Sequence, residues 1–315
     1  MHHRTPAVSR RTVAKAGAAA GLAVLFGAAA ATGRAQAATR IGPRTFDVTV
    51  ASAALGRSAP VRLILPTGFD SQPGRTYPVL YLLHGAHDDY TSWTRETDIE
   101  AFTEGRDLVV AMPDGGPTGI PSAWRGGPDY ETFQMKEVWA LLQRDYRASG
   151  VRAVAGVSTG GYGAMAHAAR HPGAFTAAAS YSGILDTTAP GVPHIVNAIV
   201  ARENLLPASL WGGTVLDLLT TWRDFNPRAR ASGLRGTALY VSSGSGLAGG
   251  GGEPLPEALE SALWPSAHAF TGELARLRIP ATTHFYTGGE HNWTYWKREF
   301  RASWPMLAHA LGLPE

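Results

Sequence analysis

Apolar positions fall into two rhythms along this chain. Alternation over residues 45–50 (T-F-D-V-T-V) and 61–65 (V-R-L-I-L) predicts two half-exposed strands. The turn residues Ala54-Leu55-Gly56-Arg57 between them predict a hairpin-like opening pair. Apolar runs at 79–83, 108–112 and, broken only by Arg152, at 151–157 instead predict buried strands, as in the interior of a parallel sheet. Further strands are expected at 177–182, 237–242 and 281–286. Helical spacing appears at 131–146, where Met135, Val138, Trp139, Leu142 and Tyr146 form one stripe, and again through Ala164, Met165, Ala168 and Ala169. Residues 195–219 read as a poorly patterned helical stretch broken at Pro207 and around Trp211-Gly212-Gly213, and 292–311 as a closing helix. Strands alternating with helices predict an α/β fold, a mainly parallel central sheet with helices on both faces. No internal repeat or second domain is visible.

The N-terminus changes how the composition reads. Ser9-Arg10-Arg11-Thr12-Val13-Ala14-Lys15, the apolar run 16–31 and the small residues of Ala35-Gln36-Ala37 match a twin-arginine-type export signal with its cleavage site. The expected division is a signal peptide over 1–37 and one domain over 38–315. Residues 1–37 hold five Lys and Arg and no acid, so the remaining chain carries 23 basic against 25 acidic residues, a net of −2 where the full chain has +3. That balance gives no support to a nucleic-acid partner. No cysteine is present, which excludes disulfides, thiolate metal sites and a cysteine nucleophile. The expected destination is outside the cell or in the cell wall, with no membrane span left after cleavage.

The candidate chemistry centres on Gly156-Val157-Ser158-Thr159-Gly160, a G-x-S-x-G between a predicted strand and a predicted helix. In that setting the motif is the nucleophile elbow of α/β-hydrolases. The serine sits on a strained turn, the flanking glycines let backbones pass, and the helix N-terminus faces the developing oxyanion. The 79–83 strand ends in His84-Gly85-Ala86, so the amides of Ala86 and Thr159 are the expected oxyanion donors. His84 is read as a structural residue under that loop, and His87-Asp88-Asp89 as a solvated cluster rather than a metal site. Residues 117–128, rich in Gly and Pro around Trp124, are expected near the site mouth, and the 195–219 insertion beside the acyl pocket. His291, after the last predicted strand, is the expected base. The acid must lie between Ser158 and His291. Asp186, Glu253, Glu257 and Glu260 all qualify by position. The glycine-rich loop 244–252 has no phosphate-loop lysine, so no nucleotide and no other cofactor is expected. Asn292-Trp293-Thr294 matches a glycosylation sequon by chance.

Several of these residues carry a resemblance that extends over most of residues 38–315. Tyr81-Leu82-Leu83-His84-Gly85 with Asp88-Asp89-Tyr90 and Trp93, then Met112-Pro113-Asp114-Gly115-Gly116, Glu131-Thr132-Phe133, Ser182-Gly183, Leu210-Trp211-Gly212 and His291-Asn292-Trp293-Thr294-Tyr295-Trp296, resemble the antigen 85 mycolyltransferases and the wider esterase D-like family. The resemblance implies a Ser–Glu–His triad. Leu255-Pro256-Glu257-Ala258-Leu259-Glu260 is the counterpart of the family's acid-bearing segment, which implies Glu260, with Glu257 as fallback. It also implies acyl transfer through an acyl-serine, from a small-molecule or lipid ester to water or to a sugar or glycerol hydroxyl. The chain departs from the mycolyltransferases at His84-Gly85-Ala86-His87, which replaces the D-G-L-R associated with trehalose. It also has a shorter segment after Trp93, without the fibronectin-binding motif, and carries Ser242-Ser243 where the family has a cysteine. The expected activity is a secreted serine esterase/acyltransferase. The alternatives are a trehalose-specific mycolyltransferase and a catalytically silent cell-wall binding protein.

Overall fold

The computed structural model describes residues 35–246 and 253–314. Nine strands form one sheet: β1 (Ala35–Arg40), β2 (Thr45–Ser52), β3 (Arg57–Ile64), β4 (Tyr77–Leu83), β5 (Val109–Pro113), β6 (Ala148–Val157), β7 (Ala177–Tyr181), β8 (Ala238–Gly244) and β9 (Thr282–Tyr286). Their spatial order is β1-β2-β3-β5-β4-β6-β7-β8-β9. The pairs β1–β2, β2–β3 and β3–β5 are antiparallel. The run from β5 through β4, β6, β7 and β8 to β9 is parallel. The expected opening hairpin is β2–β3, in register from Thr45↔Ile64 to Ser52↔Arg57.

The helices are α1 (Ser92–Glu96), α2 (Ile99–Phe102), α3 (Tyr130–Thr132), α4 (Trp139–Asp145), α5 (Thr159–Arg170), α6 (Val192–Arg202), α7 (Ala208–Trp211), α8 (Val215–Leu219), α9 (Thr221–Asp224), α10 (Pro254–Arg276) and α11 (Trp293–Leu311). They cover both faces of the sheet. Val79, Tyr81 and Leu83 point to the side packed by Phe133, Met165 and Phe270, while Leu80 and Leu82 point to the side packed by Trp93, Trp296, Phe300 and Trp304. A period-2 strand therefore feeds two cores, which is why its sequence is apolar throughout. Each fully buried Leu, Val or Phe there contributes roughly 1.5–3 kcal/mol.

Four segments differ from the sequence expectation. Residues 35–40, expected as a cleavage site and linker, form the edge strand β1, so the expected cut after Ala37 falls within a strand; the twin-arginine segment and its apolar run lie outside the described residues. Ser92–Glu96 and Ile99–Phe102 are short helices too small to show a period. The helix expected over 131–146 is interrupted by a π-helical segment, Phe133–Val138. The wider turn brings Gln134 and Glu137 inward together, as π-bulges can. Gln134 donates to the Asp114 carbonyl at 3.0 Å. Glu137 accepts from the amides of Ala53 and Ala54 at 3.0 and 3.2 Å, and from Ser52 Oγ, holding the β2–β3 turn. Finally, α10 is a 23-residue helix in a segment whose prolines give no helical expectation. Pro254 and Pro256 sit in its first turn, where no intrahelical N–H is needed, and Pro265 lies on its exposed side.

A buried charge cluster braces the back of α5. Glu131 accepts from Arg170 Nε at 2.9 Å and is 2.7 Å from His171 Nε2. Burial, the largest influence, acts to raise its pKa, but His171, His167 and Arg170 outweigh it and hold it at about 2, below the usual 4.5. A depressed carboxylate pKa stabilises the fold above the unfolded value, and the gain is lost as pH falls from about 4.5 to about 2. Glu131→Gln is expected to cost on the order of 3 kcal/mol in urea unfolding at pH 7. The gap to wild type is expected to shrink to about half by pH 3.

Candidate active site

β6 drives straight into the elbow. Ser158 has φ 53° and ψ −121°, a strained conformation for a residue with a side chain, and its amide donates to the Tyr181 carbonyl at 2.9 Å. The motif's glycines are required by space. A Cβ on Gly156 would lie 2.2 Å from the Gly160 carbonyl oxygen, and one on Gly160 would lie 2.4 Å from that of His84. α5 starts at Thr159, so its free N–H groups and the positive end of its dipole converge beside Ser158 Oγ.

Three sequence candidates meet there. Ser158 Oγ is 2.8 Å from His291 Nε2, and His291 Nδ1 is 2.8 Å from Glu260 Oε2. Glu260 is fully buried and the His291 side chain nearly so. Burial acts most strongly on Glu260 and would raise its pKa. Hydrogen bonds and charge from His291, with bonds from the Gly244 amide and Ser182 Oγ, more than reverse this and hold the carboxyl below its usual range. Glu260 is thus an ionised acceptor, Nδ1–H of His291 donates to it, and Nε2 is left to accept the Ser158 hydroxyl proton.

The other acids are elsewhere. Asp186 is buried in its own cluster, accepting from Arg228 at 2.8 Å and Asn226 at 2.7 Å. Glu253 and Glu257 lie in or before the first turn of α10 and are not buried. His291 reaches its position from β9 over Gly288 and Gly289, both at positive φ (76° and 92°). Its amide donates to the Pro256 carbonyl at 3.2 Å, and its ring meets Trp296 edge-on at 5.0 Å. Asn292 serves as the N-cap of α11, accepting from the Thr294 amide at 3.0 Å.

The loop expected to supply the oxyanion donors is fixed from below. Gly115 N–H donates to His84 Nε2 at 2.9 Å, so the ring proton sits on Nδ1, which donates to the Gly85 carbonyl at 2.8 Å. Buried with both nitrogens engaged, His84 has the structural place expected of it. Among the described residues, the amides of Ala86 and Thr159 have no hydrogen-bond partner. His87, at φ 59°, bonds its side chain to Glu203 just past α6 and its amide to the Pro117 carbonyl at 2.8 Å. Asp88 pairs with Arg95 at 2.7 Å, and Asp89 accepts from the Thr91 amide at 2.7 Å. No three His, Cys, Asp or Glu side chains among the described residues are grouped to hold a metal ion.

Sequence reasoning missed the groups behind the acid. Oε1 of Glu260 accepts from the Gly244 amide at 2.6 Å, Ser182 Oγ at 2.8 Å and Ser243 Oγ at 3.3 Å. Ser182 is itself at φ 52°. Its Ser-Gly pair stood in the sequence without a role. Beyond the oxyanion loop lies a mostly apolar groove of about 570 Å³, walled by Pro117, Thr118, Trp124 and Tyr130 on one side and by Leu205 and Leu206 on the other. The insertion crosses to this side through Arg125 N–H to the Leu210 carbonyl at 2.9 Å and Trp211 Nε1–H to Ser122 Oγ at 2.7 Å.

The Esterase family profile matches residues 52–307. The chain belongs to this family. Within it, the chain is 30% identical over 330 residues to the diacylglycerol acyltransferase/mycolyltransferase Ag85B of Mycobacterium intracellulare, covering 99% of this chain and 97% of that one. It is also 30% identical over 262 residues to Esterase Rv1288 of Mycobacterium tuberculosis, covering 78% of this chain but 56% of that protein, so it spans little more than half the length of that relative. The crystal structure of Mycobacterium tuberculosis MPT51 (FbpC1) superposes with a TM-score of 0.69 at 23% identity, over 84% of this chain and 97% of that one. The antigen 85 and esterase D-like resemblance and the α/β-hydrolase fold are thus borne out. In this esterase-family chain, the sheet order puts Ser158 after β6, His84-Gly85-Ala86 after β4, and Glu260 and His291 beyond β8 and β9. No helix among the described residues is long and apolar enough to cross a membrane.

Proposed function

We propose that the chain is a secreted serine carboxylic-ester hydrolase/acyltransferase, exported by its twin-arginine-type segment. The observation that carries this is the unbroken hydrogen-bond line Ser158–His291–Glu260 ending on a strained elbow. Ser158 Oγ attacks the ester carbonyl as its proton passes to His291 Nε2, and Glu260 steadies the imidazolium. The carbonyl oxygen becomes an anion held by the amides of Ala86 and Thr159, each worth about 100- to 1000-fold in rate. His291 then protonates the departing alkoxide, leaving an acyl-serine that water or an acceptor hydroxyl resolves by the same steps in reverse. A fluorophosphonate probe tests this: a single adduct on Ser158, with turnover of short p-nitrophenyl esters, is expected. Absence of both refutes the reading.

Water, glycerol or a sugar other than trehalose is favoured as acceptor. The two residues that replace the trehalose-associated Asp and Arg are both engaged, His84 under the loop and His87 with Glu203, so neither offers a free group to a sugar.

The leaving group must sit beside His291, which protonates it, so the acyl chain points the opposite way, toward β5. That direction leads to the groove beyond Pro117 and Thr118, which the proposal assigns to the acyl chain. A side chain at Gly126 would enter open space in its wall. Gly126→Phe is expected to lower kcat/KM for p-nitrophenyl octanoate about ten-fold or more while leaving the acetate ester within about two-fold, since a pocket contact of this kind is worth about 1–3 kcal/mol.

A further inference from the structure

α8 is turned inside out. Its sequence is Val215-Leu216-Asp217-Leu218-Leu219, yet its buried residue is the aspartate, while Val215, Leu216 and Leu219 are 75%, 68% and 67% exposed. Asp217 is fastened from three directions. It forms a capping box with Thr214, accepts from the Gly213 amide at 3.1 Å, and pairs with Arg125 at 2.6 Å. These bonds fix the helix with its apolar face toward solvent, so the exposure belongs to the folded state and not to a loose end. Leu206, 77% exposed, and Leu205, 40% exposed, stand between α6 and α7. They line the groove with Trp124 and Gly126, and Arg125 between those two holds α8. Five of the eight large apolar side chains that the described residues expose therefore fall within fifteen positions, 205–219, beside that groove. A soluble surface rarely concentrates apolar area this way without a partner.

The charges around the patch select the partner. Of the acids in residues 195–224, Asp217 is paired with Arg125 and Asp224 with Arg230, while Glu203 is hydrogen-bonded to His87. Arg202 and Arg223, both exposed, have no carboxylate partner among the described residues. An apolar face flanked by guanidinium groups that no carboxylate pairs complements an anionic lipid surface, which takes up side chains below the headgroups and cations among them. A second copy of the chain fits less well, because a two-fold contact would set these arginines against one another.

We propose that the outward face of α8, together with Leu205 and Leu206, docks the protein onto an anionic lipid bilayer. The site mouth then opens against the source of lipid esters. That last step rests on the proposed ester chemistry; the docking does not.

The test is co-sedimentation of the protein, purified from culture medium, with phosphatidylglycerol and phosphatidylcholine vesicles. Wild type is expected to bind the phosphatidylglycerol vesicles more tightly, with affinity falling as salt rises. Val215→Ser/Leu216→Ser/Leu219→Ser is expected to weaken that binding about ten-fold or more. Arg202→Gln/Arg223→Gln is expected to flatten the salt dependence. Both variants should turn over soluble p-nitrophenyl acetate within about two-fold of wild type, as neither touches the triad. Equal sedimentation of wild type and the apolar variant overturns the proposal. So does a wild-type mass that doubles with concentration, reverts in the variant and shows no vesicle binding, which assigns the face to a second copy. A protein that binds vesicles through this face but hydrolyses no ester keeps the docking and removes the proposed function.

Discussion

Ser158→Ala is expected to lower kcat for p-nitrophenyl acetate by on the order of 10⁵- to 10⁶-fold, the loss seen when the nucleophile of a coupled triad is removed. On the proposed mechanism the loss falls on kcat because no attack on the carbonyl remains, while the amides of Ala86 and Thr159 and the groove would still bind the ester. The same change should abolish fluorophosphonate labelling. It should leave urea unfolding nearly unchanged, since the hydroxyl's one side-chain partner is His291. Ser158→Gly separates the two costs of the elbow. Glycine relieves the backbone at φ 53°, ψ −121°, a strain of about 1–3 kcal/mol, so this variant is expected to be more stable than wild type and equally inactive. Measurable ester turnover in either variant, by a single preparation free of contaminating esterase, would assign the nucleophile elsewhere.

Much of this site was legible because its chemistry is local. G-x-S-x-G between a strand and a helix is read from thirteen consecutive residues, and the space around Gly156 and Gly160 explains the pattern in full. His291 was legible from its place after the last strand. The carboxylate that meets His291 was not, because which one does depends on the phase of a helix disguised by Pro254, Pro256 and Pro265. Once α10 is recognised, Glu260 heads a buried stripe with Leu263, Ala267, Phe270 and Leu274, spaced three and four apart. A carboxylate leading a mainly apolar face, whose other polar member is Ser266, is a signal that position alone could not supply; here it was the resemblance that singled out Glu260. β1 was illegible for a different reason. Its sequence, Ala-Gln-Ala-Ala-Thr-Arg, has no strand pattern of its own, and it becomes a strand by pairing with β2. The supporting groups Ser182, Ser243 and Gly244 come from the ends of two strands, β7 and β8, that are adjacent only in the folded sheet. No spacing along the chain announces that meeting. The inverted α8 was hidden as well, since residues 195–219 show no clear helical pattern and nothing along them says that Asp217 takes the buried side.

Those supporting groups determine what Glu260→Gln does. Three donors, the Gly244 amide, Ser182 Oγ and Ser243 Oγ, converge on Oε1, and that position accepts an oxygen far better than an NH₂ group. The glutamine amide is therefore forced to keep its carbonyl there and to turn its NH₂ toward His291 Nδ1. Nδ1 must then accept, the ring proton moves to Nε2, and the imidazole can no longer take the proton of Ser158. The nearly isosteric variant is expected to fold and bind ester with KM little changed, and to lose about 10⁴-fold in kcat through the wrong tautomer. Glu260→Ala adds a second penalty, because it leaves those buried donors unpaired at roughly 1–3 kcal/mol of desolvation. Urea unfolding should therefore rank wild type above the alanine variant, while steady-state kinetics show both variants deeply impaired. If Gln retained wild-type kcat, Glu260 would be a structural anchor for α10 and the imidazole would need no carboxylate to hold its proton.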